Sequence, residues 1–286
     1  MIMQLLIAAA GLFLALGVLW AVQCRTKNAT AVDAAWALGI ATAALYYAAS
    51  GPGDARGWLA GLLAGAWGLR LGLHLLIDRV LTHQGEDSRY AAMRAHYGAG
   101  ANAHFAWFFA AQAVAALVFS LPALALVHDP RPLGLLDGFA VIWWAVTLAM
   151  VSVADRQLAR FRADPATKGT TCQVGLWRYS RHPNYFFEWL HWFSYVLLGL
   201  GGPWQWWLLL APAVLLMLLL FVTGIPYAEA RSLASRADYA EYRRRTSAFI
   251  PWKPRGGGRG ERGEGVGILP SAAASSSVRD RAPPPL

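Results

Sequence analysis

Residues 204–225 read WQWWLLLAPAVLLMLLLFVTGI (Trp204–Ile225), twenty-two positions without one charged side chain. A helix needs about 20 mostly apolar residues to cross the hydrocarbon core of a bilayer. Working outward from this stretch, six more runs meet the same requirement: Met3–Val22, Ala31–Ala49, Trp58–Ile77, Phe105–Leu126, Leu135–Ala154 and Asn184–Leu200. The first lacks a positively charged leader, and Ala21-Val22-Gln23-Cys24 is a poor cleavage site, so it reads as a retained helix. The composition agrees: 57% of the 286 residues are hydrophobic and 14% are charged, against about 25% charged in soluble domains. A water-soluble enzyme is excluded, and the expectation is an all-α polytopic membrane protein of about seven transmembrane helices.

The basic residues test that count. With seven spans, twenty-two of the twenty-five Lys and Arg residues fall in loops or tails on one side. Arg56 and Arg131 fall on the other, and Arg70 lies inside the third span. Cytoplasmic loops carry the excess of Lys and Arg, which predicts an outside N-terminus and a cytoplasmic C-terminus. The net charge of +9 therefore has a membrane cause, and no nucleic-acid partner is expected. The two cysteines, Cys24 and Cys172, lie far apart and outside any His/Cys cluster, so neither a disulfide framework nor a metal site is expected. Residues 254–286, rich in Gly and Arg and then in Ser, Ala and Pro, cannot bury a core and read as a disordered tail behind a membrane domain over 1–253.

Ionisable groups inside spans are costly and mark functional candidates. In the third span Trp67, Arg70, His74 and Asp78 share one helix face; Arg70 and His74 either pair with an acid on another span or bind an anionic ligand. Asp33 opens the second span, as a charge complementing the helix dipole or as a catalytic or cofactor group. The sixth span opens Arg181-His182-Pro183-Asn184-Tyr185-Phe186-Phe187-Glu188, with His191 following. Pro183 suits a first helical turn. Asn184, Glu188 and His191 fall on one face, and Arg181 and His182 precede the positive helix end, where an anion is favoured. Together they have the chemistry of a polar cofactor pocket. A 20-odd-residue basic loop from Asp155 to Tyr179, and a short helix over Asp238–Thr246 with Tyr242, Arg243 and Arg244, face the same side. All three segments can meet around one soluble cofactor.

The run Gly175-Leu176-Trp177-Arg178-Tyr179-Ser180-Arg181-His182-Pro183-Asn184-Tyr185-Phe186-Phe187-Glu188 resembles the C-terminal signature of the steroid 5-alpha-reductase superfamily, and more closely a bacterial membrane family of unknown function within it. Asp155, Gln157 and Phe161, the closing segment Tyr239–Phe249, Val32-Asp33 with Trp36, Trp67-Gly68-Leu69-Arg70 and Gly85–Tyr90 are also similar to that group, so the resemblance covers roughly residues 30–252. Isoprenylcysteine carboxyl methyltransferases and phospholipid N-methyltransferases share the Arg-His-Pro-x-Tyr part.

The resemblance implies a reductase in the bacterial inner membrane, acting on a lipophilic steroid- or isoprenoid-like enone or alkene, with NADPH entering from the cytoplasm. It implies that Asn184, Tyr185 and Glu188 line the nicotinamide-ribose end. Lys168, Arg181, His182, Tyr242, Arg243 and Arg244 would hold phosphates and the adenine ribose, and Asp155 would sit on the same cofactor. For the acid and the tyrosine that hold the substrate carbonyl in the steroid enzymes, Asp33 and Tyr90 are the matches. Phe187 stands where relatives usually have Gly, and Thr167 where they often have Asn. The alternative is a methyltransferase using S-adenosylmethionine, which is itself partly cationic and needs fewer basic residues. A non-enzymatic membrane protein is the third possibility; the short loops argue against a transporter.

Overall fold

The computed structural model describes residues 1–82 and 85–255; the expected tail from Gly256 onward lies outside them. The described chain is all helical. In order it forms α1 (Ile2–Thr26), α2 (Val32–Ser50), α3 (Ala55–Leu75), α4 (Ser88–Tyr97), α5 (Ala101–Val127), α6 (Leu135–Ala163), α7 (Pro183–His191), α8 (Phe193–Gly199), α9 (Leu210–Met217), α10 (Ile225–Ser235) and α11 (Tyr239–Arg245). Six stretches are long and apolar enough to cross a membrane: α1, α2, α3 with its extension to Leu81, α4 with α5, α6, and Trp207–Ser235. The protein is an all-α polytopic membrane protein.

The sixth apolar run of the sequence behaves differently. Asn184–Leu200 folds as two helices, α7 and α8, separated at Trp192. Its start is bonded to the basic segment near the C-terminus, where Arg181 N donates to Ser247 O at 2.8 Å. Its far end is held by Arg131, which donates to Leu200 O at 2.8 Å. Flanking contacts, rather than one continuous ladder, hold this segment in place. Two other boundaries move. The sixth helix continues to Ala163, so Asp155 and Gln157 stand on a helix and not in a loop. The last long helix is interrupted by a π-helical turn over Leu218–Val222, and another extends α3 over Leu76–Leu81.

Small residues set the tightest contact. Gly61, Gly65, Gly68 and Gly72 of α3 face the alanine-rich side of α2. A Cβ on Gly68 would lie 2.7 Å from Ala37 O, and one on Gly61 2.6 Å from Ala48 Cβ. Without a hydrophobic driving force between helices in lipid, such close backbone approach supplies the van der Waals contact that holds them.

The end opposite the basic loops is fastened by charge. Arg56, only 4% exposed, donates to Asp137 at 2.5 and 3.0 Å, to Pro132 O at 2.9 Å and to Leu198 O. Arg131 holds Asp129 at 2.5 and 2.8 Å. Burial alone would push the Asp129 carboxyl up, but the Arg131 hydrogen bonds prevail and hold it below the usual carboxylate range. Arg56 thus joins α3 to α6 and α8, and Arg131 ties the loop between α5 and α6 to the end of α8. Helix α1 is tethered at Gln4, bonded to His128 at 2.6 Å and to Ser50 at 2.9 Å, at Trp20, which donates to Asn102 O at 2.9 Å, and at Gln23, which accepts from Arg94 at 3.0 Å.

Gly68→Leu forces α2 and α3 apart. Its expected cost is about 2–3 kcal/mol, read as a lower midpoint of thermal unfolding in detergent, whereas Gly138→Leu, whose Cβ meets nothing within 4 Å, leaves the midpoint unchanged.

Candidate functional site

At the basic end of the bundle, Asp33 in the first turn of α2 gathers three donors. Tyr90 donates its hydroxyl to Oδ1 at 2.6 Å. Arg79, on the π-helical extension of α3, reaches Oδ2 at 2.7 Å, and Arg89 of α4 reaches the same oxygen at 2.6 Å. The segment that delivers Arg89 and Tyr90 is itself fixed. Asp87 caps α4 by accepting from Arg89 N at 2.9 Å, and its amide donates to Thr30 Oγ1 at 2.8 Å. Glu86 accepts from Ala29 N at 2.9 Å and from Arg94 at 2.7 Å. Burial raises the Asp87 carboxyl, but its bonds to Arg89 outweigh that and hold it below the usual range. Asp33 and Tyr90, distant in sequence, form one hydrogen-bonded pair.

A second group joins α3, α6 and α7. Asn184 donates to Asp155 Oδ1 at 3.1 Å and accepts from Tyr185 N at 3.0 Å. Arg70 stands 3.6 Å from Asp155, so the arginine of the third span meets an acid of another helix. Its Nη1 is buried without a hydrogen-bond partner. Trp67, on the same face of α3, donates to Glu188 Oε1 at 2.5 Å, and the His191 ring stacks on Trp67 at 5.5 Å. Tyr185 stacks on His182 at 5.3 Å.

A hollow of roughly 160 Å³ opens nearby, with Arg162, Lys168 and Arg236 in its wall beside Phe161, Thr170 and Cys172. No acid lines it. Burial pushes the Cys172 thiol above its ordinary value, so it stays protonated at neutral pH. Of the predicted site residues only Lys168 reaches this hollow.

Arg181, His182 and Arg243 gather elsewhere, around Glu229 of α10. Arg181 is buried; it donates to Glu229 at 2.7 Å, to Arg243 O at 2.9 Å and to Thr246 O at 2.5 Å. His182 Nε2 lies 3.6 Å and Arg243 Nε 3.3 Å from the same carboxylate. Tyr242 donates to Trp177 O at 2.5 Å and Ser180 O at 3.2 Å, and burial pushes its hydroxyl well above the ordinary value. Arg244 pairs with Glu241 on the exposed face of α11. Arg181 and Tyr242 therefore brace the frame with their polar atoms, while Asn184 and Lys168 stand in two other groups. Sequence reasoning missed Arg79, Arg89, Arg162, Arg236 and Glu229. The signal for Glu229 was its isolation, the one acid in Ile225–Arg236.

Removing one member of a buried ion pair leaves the other charge uncompensated, at roughly 3–5 kcal/mol. Glu229→Ala is expected to lower the thermal midpoint by that measure, with the Glu229→Asp protein in between; differential scanning fluorimetry in detergent reads both.

None of the curated proteins compared with this chain matches it. A family model described as "Protein of unknown function (DUF1295)" matches residues 19–246. The match runs from the last part of α1 to the end of α11 and takes in every site residue named above. The chain belongs to that family.

Proposed function

We propose that the protein is a membrane-embedded, NADPH-dependent reductase of a lipophilic, steroid- or isoprenoid-like enone or alkene, in the inner membrane of a bacterium. The observation that carries this reading is that the described residues hold an Asp33–Tyr90 pair, an Asp155–Asn184 pair and a cationic hollow whose wall includes no acid. The Gly175–Glu188 run supports it through its resemblance to the steroid 5-alpha-reductase superfamily, in which we place the family.

The residues fit a polyanionic dinucleotide. Three cations line a hollow without an acid, and a buried guanidinium nitrogen of Arg70 lacks a partner. Lys168, Arg162 and Arg236 would hold phosphates, while Asn184, Tyr185 and Glu188 offer amide, hydroxyl and carboxylate groups to a ribose or a carboxamide. When bound, NADPH supplies a hydride. Asp33, pinned by Arg79 and Arg89, fixes the Tyr90 hydroxyl. The single Tyr90 hydroxyl proton goes to Asp33, so Arg89, with several N–H groups, is the donor on hand to polarise a substrate carbonyl. The rings of Phe105 and Phe108, T-shaped and tilted against Tyr90, keep that side apolar, as a lipid-soluble substrate requires. S-adenosylmethionine, partly cationic, gains little from a hollow of three positive charges.

Calorimetry on the purified protein in nanodiscs tests the reading. The expected result is micromolar binding of NADPH and none of S-adenosylmethionine; the reverse pattern rejects the reductase and favours the methyltransferase. Glu188→Gln keeps size and hydrogen bonding while removing charge. It is expected to express normally and to bind NADPH about tenfold more weakly, or about 1.4 kcal/mol; unchanged affinity removes Glu188 from the pocket.

A further inference from the structure

Beyond α11 the chain turns back as a strap over residues 246–255. Three backbone bonds fasten it: Arg181 N to Ser247 O at 2.8 Å, Trp252 N to Tyr179 O at 2.9 Å, and Arg255 N to Arg245 O at 2.9 Å. Ser180 Oγ adds a bond to Phe249 O at 2.8 Å. The depth of the strap is fixed by Phe249. Its buried ring packs on Phe186 and Trp189 of α7, at 5.5 and 5.7 Å between centroids, and shares an apolar cluster with Leu219 and Ile225. These are residues of membrane-entering segments, so the next residues of the strap lie at the bilayer boundary.

There the strap exposes what a soluble surface avoids. Ile250 is 59% and Trp252 73% exposed, with Tyr179 44% exposed alongside. Around them the charge is positive. Arg244 and Arg245 are paired with Glu241, but among the described residues Arg178, Lys253 and Arg255 take part in no ion pair. Trp and Tyr favour the headgroup level of a bilayer, and basic residues beside a membrane are drawn to anionic lipids.

We propose that the strap is a docking surface for anionic phospholipid headgroups, with Ile250 and Trp252 seated in the interface and Arg178, Lys253 and Arg255 on the lipid phosphates. Because the strap's backbone bonds hold Arg181 and Tyr179, lipid charge then reaches the frame around Glu229. The proposal stands apart from the reductase reading and needs no cofactor.

Hydrogen exchange tests it on the full chain, one copy per nanodisc, in phosphatidylcholine alone and in a mixture rich in phosphatidylglycerol. The Arg181 and Trp252 amides are expected to exchange roughly tenfold more slowly in the anionic bilayer, while α2 amides do not change. The variant with Arg178→Gln, Lys253→Gln and Arg255→Gln is expected to lose the difference. Equal exchange in both bilayers overturns the proposal. So does protection that arises only when a nanodisc holds two copies, which assigns the surface to a second molecule of this chain.

Discussion

At the basic end of the bundle, carboxylates take guanidinium partners that arrive on other elements. Asp33 takes Arg79 and Arg89, Glu86 takes Arg94, Asp155 takes Arg70, and Glu229 takes Arg181 and Arg243. Water would make such pairs nearly neutral in energy. Inside a bundle each charge left alone is expensive, so the pairing dictates which helices must meet. The polar geometry of the site is therefore a product of charge neutralisation between α2, α3 and its extension, α4, α6, α10, α11 and the segment before α7, and not of any single motif.

That pairing leaves two kinds of cation. Arg181 spends its donors on a carboxylate and on backbone carbonyls and is part of the frame. Arg162, Lys168 and Arg236 line open space without an acid in the wall. A positively charged hollow at the mouth of an apolar bundle concentrates anions, whatever their identity. The separation between frame and hollow tells apart Arg181, whose donors are spent on the frame, from the cations that line open space.

The spans were legible in the sequence because uninterrupted apolar runs have few alternatives. The polar face of α3 was legible too, since helical spacing alone puts Trp67 and Arg70 together, and the sequence reading asked for an acid on another span. Which acid was not legible: spacing fixes a face but not the neighbour across from it, and Asp155 emerged only once α6 proved longer than its apolar stretch. The break at Trp192 was hidden for a related reason. Hydropathy measures the side chains, and those of Asn184–Leu200 are apolar enough for one helix, while beside the break Trp143 of α6 donates to the Leu190 carbonyl at 2.8 Å. Asp33 and Tyr90 were named from resemblance, and no local pattern could foretell their hydrogen bond across fifty-seven positions.

The Glu229–Arg181 pair also imposes an order on biosynthesis. A ribosome releases Arg181 well before Glu229 and the Thr246 carbonyl that complete its coordination. Until then the Arg181 guanidinium lacks both its carboxylate and its backbone acceptor. The frame around Glu229 can therefore close only once the chain through Thr246 has been made, and the final helices act as a late clasp on the start of α7.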